Sequence, residues 1–174
     1  MKSLLTGLLF LAACTNQKTV QKEKDFNEKA NELVLSEHKP GIGYFFKIGL
    51  NDEVEEYRIT YLGDIQTRNG KVLKFINNII YSGENEDSKR ASATVDIYDN
   101  MDQYMGSYQV GPDVSLPSDI EGSSLVFAYN NEDCHQKTVI DFADSIPRKI
   151  FIKCKGESGD IYSFTTGDKD SKKD

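Results

Sequence analysis

The sequence predicts an all-β domain: a single antiparallel β-sandwich of about nine strands, preceded by a short helix. Three observations lead there. From residue 41 to 166, short runs rich in aromatic and β-branched residues recur, several of them alternating apolar with polar. Turn residues such as Asn51-Asp52, Arg68-Asn69-Gly70 and Asp99-Asn100 separate those runs. The stretch Gly111 to Gly122 holds Pro112 and Pro117 and reads as a long connection that crosses between two sheets. A lipocalin-like up-and-down β-barrel is the alternative, because most of the other links are short enough for hairpins.

Taken in order, the chain opens with Met1-Lys2 as a positive end. A short apolar core follows from Leu4 to Ala13, broken by Thr6 and Gly7. That core is too short to span a bilayer, which takes about 20 apolar residues. It fits a cleaved export signal over 1–13. Leu11-Ala12-Ala13-Cys14 resembles the lipobox of bacterial lipoproteins at each of its four positions. The resemblance implies cleavage after Ala13 and a diacylglyceryl thioether on Cys14. One acyl chain binds a membrane marginally at roughly 0.8 kcal/mol per buried methylene, so two or three chains make a stable anchor. The competing reading is an ordinary secretory signal with an incidental cysteine.

Residues 14–40 are expected to form the lipidated tether and a short helix. Thr15 to Lys24 is polar and lacks both helical and strand periodicity. Phe26, Ala30, Leu33 and Val34 then fall at helical spacing, with Asp25 placed to cap and Pro40 to terminate. The first acid after Cys14 is Glu23, so the chain lacks the acidic sorting signal that some surface-exposed lipoproteins carry directly after the cysteine.

The β domain is expected over 41–166. Its predicted strands are Ile42–Leu50, Val54–Leu62, Lys71–Tyr81, Ser92–Tyr98, Gln103–Val110, Ser124–Tyr129, Lys137–Phe142, Lys149–Cys154 and Asp160–Thr165. In the second, Val54, Ile59 and Tyr61 mark a period-2 face whose parity slips once, as at a bulge. In the fourth, Ala93, Val95 and Ile97 share a face. Glu84, Glu86 and Asp87 belong to a solvated loop, and 167–174 reads as a charged, disordered tail.

The 161 residues left after removing 13 from 174 suit one hydrophobic core. A formal charge of −7 without a basic stripe argues against nucleic acid as a partner. It equally argues against a polybasic membrane patch, so the lipid alone is expected to hold the protein to the membrane.

Motifs that carry chemistry are few. HExxH, GxSxG, CxxC and glycine-rich phosphate loops do not occur, so no catalytic residue and no cofactor is assigned. Cys134-His135 is adjacent in sequence, and neighbours on a strand point to opposite faces, which opposes a nucleophile–base pair or a joint metal site. Asp96, Asp99 and Asp102, with Asn100 between, are the calcium candidates. Their spacing does not match an EF-hand loop, and acidic turn residues are ordinarily just solvated. Tyr44, Phe45, Phe46, Tyr57 and Tyr61 divide by alternation between core and surface. The absence of Trp weakens a glycan-stacking role.

With Cys14 taken by lipid, Cys134 and Cys154 remain in a chain exported to an oxidising compartment, and a disulfide between them is expected. The expectation uses a hairpin folded about Asp144 that sets 140 opposite 148, 138 opposite 150 and 134 opposite 154. Ile140, Phe142, Ile150 and Ile152 then share the cysteines' face.

Three functional classes follow. The first is a non-catalytic accessory module in the cell envelope, lipid-anchored at the outer membrane, that binds another envelope protein. The second is a carrier of a small apolar ligand or glycan in a β-barrel pocket. The third, an enzyme, requires carboxylates or His135 to converge in one cleft.

Overall fold

The computed structural model describes residues 26–50, 53–83, 88–111, 116–129 and 135–167. Within them one helix, α1 (Phe26–Glu37), precedes ten strands: β1 (Gly43–Leu50), β2 (Glu53–Gln66), β3 (Val72–Gly83), β4 (Arg90–Tyr98), β5 (Tyr104–Val110), β6 (Asp119–Glu121), β7 (Ser124–Ala128), β8 (Lys137–Asp141), β9 (Lys149–Lys155) and β10 (Ser158–Thr166). A seven-stranded antiparallel sheet has the order β1-β2-β3-β4-β5-β10-β9, and a three-stranded sheet the order β6-β7-β8. The fold is the all-β sandwich the sequence predicts. The sheets do not close into a barrel, so the lipocalin-like alternative is set aside.

Helix α1 ends where the chain enters the left-handed region at His38 (φ 50°), two residues before Pro40. Its buried residues are Ala30, Asn31, Val34 and Leu35. The apolar stripe therefore differs from the predicted one: Leu33 is 48% exposed and Leu35 takes its place. Phe26 anchors the first turn against Phe46 and Tyr57, with ring centroids 6.0 and 5.1 Å away.

Strands β1 to β5 form a meander in which each pairs with the next. Alternation gives β2, β3 and β4 two buried faces. On one face Tyr57, Ile59, Tyr61, Ile76 and Tyr98 pack beneath α1. On the other, Ile65, Leu73, Phe75, Ala93, Val95 and Ile97 meet Leu125 and Phe127 of the small sheet, with Phe142 between. The parity slip predicted between Val54 and Ile59 is not found, since the register there is regular; β2 instead carries a bulge between Tyr61 and Gly63. It moves the strand's odd-numbered residues from the helix side to the sandwich side, so β2 supplies both cores. Burying each such side chain fully stabilises by roughly 1.5–3 kcal/mol.

The link after β5 crosses to the second sheet, as its prolines suggest, and it contains the short strand β6. One expectation is overturned. Lys137–Asp141 and Lys149–Lys155 are not a hairpin: β8 pairs with β7, and β9 with β10. The segment between them is tied to other elements instead. Arg68 N donates to Ala143 O at 2.7 Å, the Tyr108 hydroxyl to Pro147 O, and Phe142 N to Ser123 O at 2.8 Å. The chain turns a corner between sheets there.

Candidate functional site

Two features stand apart from ordinary packing. The first lies on β1, β2 and β3. Phe45 faces Arg58 across the β1–β2 pair, and the Arg58 guanidinium lies 5.6 Å from the Phe45 ring centroid and 4.9 Å from that of Tyr81. Beside this stack, Glu56 accepts from Lys47 Nζ at 2.9 Å and pairs with Lys89 Nζ at 3.0 Å. Those two ammonium groups hold the Glu56 carboxyl below its usual range. Neighbours on each strand, Tyr44, Phe46, Tyr57 and Ile59, face α1. Phe45, Lys47, Glu56 and Arg58 therefore project from the opposite face. Phe45 is 73% exposed there, on an edge strand whose outer backbone groups are unpaired within the sheet.

The second feature is a polar cluster inside the helix-side core. Asp96 on β4 is 5% exposed, and Asn31 Nδ2 and Asn78 Nδ2 donate to its Oδ2 at 3.4 and 3.3 Å. Thr94 contributes a third hydrogen bond. Asn31 Nδ2 also donates to the Tyr98 hydroxyl at 2.9 Å, and Asn78 Nδ2 to Asn27 Oδ1 at 2.7 Å. Burial pushes the Asp96 carboxyl above its usual range, against the opposing pull of those hydrogen bonds. Burial also raises Tyr98, and Asp96 adds to that. The Oδ1 atoms of Asn31 and Asn78 find no hydrogen-bond partner among the described residues.

The three calcium candidates do not converge. Asp96 lies under α1, while Asp99 Oδ1 accepts from Met101 N at 2.8 Å and Gln103 N at 2.9 Å as a turn residue. Asp102, at φ 59°, pairs with Lys74 Nζ at 2.7 Å. His38 Nε2 is 3.6 Å from Asp64 Oδ2, next to the buried Tyr61.

Cys14 and Cys134 lie outside the described residues, as do Asp25, 84–87 and 168–174. Cys154 stands near the end of β9, half-buried. Although the hairpin register is wrong, β8 and β9 do touch: Lys153 N donates to Thr138 Oγ1 at 3.0 Å. Ile150, Ile152 and Phe142 are buried and Ile140 packs against the same core, but β8 and β9 belong to different sheets, so the single face expected of a hairpin is not formed.

Phe45 and Asp96 are named from sequence, but neither the stack nor the buried cluster around them is. The signal for the cluster was the Asn77-Asn78 pair inside the apolar run of β3, together with Asp96 between Val95 and Ile97. Arg58, in the run Glu55-Glu56-Tyr57-Arg58, carried no motif. No protein-family model, no curated protein and no solved structure matches this chain.

Proposed function

We propose that this protein is a lipid-anchored accessory component of the bacterial cell envelope. Its β domain docks on another envelope protein through the outward face of β1 to β3. The lipobox at Leu11–Cys14 supports the anchor. The carrying observation for docking is the Phe45–Arg58–Tyr81 stack: a large aromatic held in water beside a guanidinium with both side chains pre-positioned. Aromatic residues and Arg are enriched at the centres of interfaces, where fixed rotamers lose little entropy on binding. The β1 edge adds backbone donors and acceptors for strand addition. The carrier reading needs a cavity of about 300 Å³ or more. Fully buried Phe75, Tyr108, Phe127 and Phe142 occupy the space between the sheets where such a cavity would lie.

A photo-cross-linking residue at position 45, compared with one at the exposed Val139 of β8, tests the reading in native membranes. The expected result is one discrete adduct from position 45, lost on Arg58→Ala, and none from 139. Monomer alone at both positions, or identical adducts from both, overturns it.

A further inference from the structure

Helix α1 joins the N-terminal segment to the sandwich, and its docking surface has an unusual centre. Apolar residues Phe26, Ala30, Val34 and Leu35 ring a contact whose middle is polar: Asn27 and Asn31 from the helix, Asn78, Asp96 and Tyr98 from the sheet. As hydrogen-bonded, that centre leaves two acceptors unpaired among the described residues. With Asp96 ionised, its two oxygens and the Oδ1 atoms of Asn31 and Asn78 are all acceptors. The donors at hand are the amide groups of Asn27, Asn31 and Asn78, the Thr94 hydroxyl and the Tyr98 hydroxyl. Among the described residues the Oδ1 atoms of Asn31 and Asn78 have no donor, and a buried acceptor left unpaired is costly. A proton on Asp96 removes the buried charge and adds one donor among these acceptors.

We propose that α1 is a proton-governed latch: Asp96 holds the helix on the sheet more firmly when protonated, and its ionisation favours release.

The other groups facing Asp96 leave it in control. From β4 come Thr94 and Tyr98, and from β5 comes Tyr104, whose hydroxyl is raised chiefly by burial and further by Asp96. From α1, Glu28 acts on Tyr98 and adds negative charge to the same region. From β3, Lys74, opposite Tyr98, is committed to Asp102. The sign follows from the raised carboxyl. Between its ordinary value and its value in the docked state, the docked form keeps the proton and the released form gives it up. Acid therefore favours docking, and the advantage is lost as pH rises through the docked-state value.

On the anchored reading proposed above, release has a geometric effect. Twelve residues span about 18 Å as a helix and up to about 40 Å when extended. Opening the latch would lengthen the reach between membrane and β domain.

Amide hydrogen exchange on the full chain, corrected for intrinsic rates, tests the latch without any anchor. Failure of the anchored reading and failure of the latch are thereby separated. As pH rises from the ordinary carboxylate range through the docked-state value of Asp96, protection of the 26–37 amides is expected to fall about tenfold or more and to stay below that of the β3 and β4 amides. Asp96→Asn is expected to abolish that dependence. Should the variant not fold, carbon NMR of the Asp96 carboxyl in the parent serves instead, and its titration midpoint must coincide with that of α1 opening. Unchanged α1 protection across the range, the same slope in Asp96→Asn, or a mismatched midpoint overturns the proposal.

Discussion

Gly106 of β5 approaches Thr165 of β10 so closely that a β-carbon at 106 would collide with the Thr165 carbonyl oxygen and the Phe164 ring. The backbone there is at φ 146°, where side-chain-bearing residues are rarely found. Gly106→Ala is thus expected to destabilise by more than about 2 kcal/mol, combining conformational strain with separation of the β5–β10 seam. Urea unfolding measures it, and an unchanged midpoint would show that the seam tolerates a methyl group.

A second expectation concerns pH. Because burial raises the Asp96 carboxyl, ionising it costs folding free energy that Asp96→Asn does not incur. Parent and variant should differ least in acid. The variant should gain relative to the parent as pH rises through the folded-state value. Thermal melts across the pH range give the comparison, and parallel curves would contradict it.

The partner proposed for Cys154 is Cys134. Contact between β8 and β9 at Thr138 and Lys153 brings the chain entering β8 toward the end of β9. Closing a loop of about 20 residues stabilises by roughly 3 kcal/mol on the chain-entropy picture. Alkylation in denaturant, with and without reductant, should show two thiols protected until reduction. Two thiols alkylated without reductant would remove the bridge.

Cys14→Ser is expected to abolish incorporation of a fatty-acid probe and to leave the protein unmatured or mislocalised. Equal labelling of parent and variant would end the lipoprotein reading.

How far the chain was legible depended on whether the signal was local. The alternation of Ala93, Val95 and Ile97 needs only a strand and one covered face, and those residues lie in the sandwich core as read. Asp96 was misplaced because β4 is covered on both sides, which alternation in one strand does not reveal. The β8–β9 hairpin failed for a similar reason. A short link with Pro147 looks the same whether it folds a hairpin or turns a corner. The difference lies in the remote groups Arg68, Tyr108 and Ser123 that bind it. The Phe45–Arg58–Tyr81 stack depends on the register of three strands, and register is set by turns and core packing that sequence spacing leaves open.

The strand order β1-β2-β3-β4-β5-β10-β9 also has a kinetic consequence. Five strands pair with their immediate successors, so most of the large sheet closes short loops and can form early. The β5–β10 seam instead joins segments separated by the whole second sheet, and it brings Phe164 onto Tyr108 at 5.2 Å between centroids. Loop-closure entropy places that step late. Folding is expected to run through a meander whose β5 edge is still open, and substitutions at the seam, Gly106→Ala among them, should chiefly speed unfolding and leave the folding rate nearly unchanged.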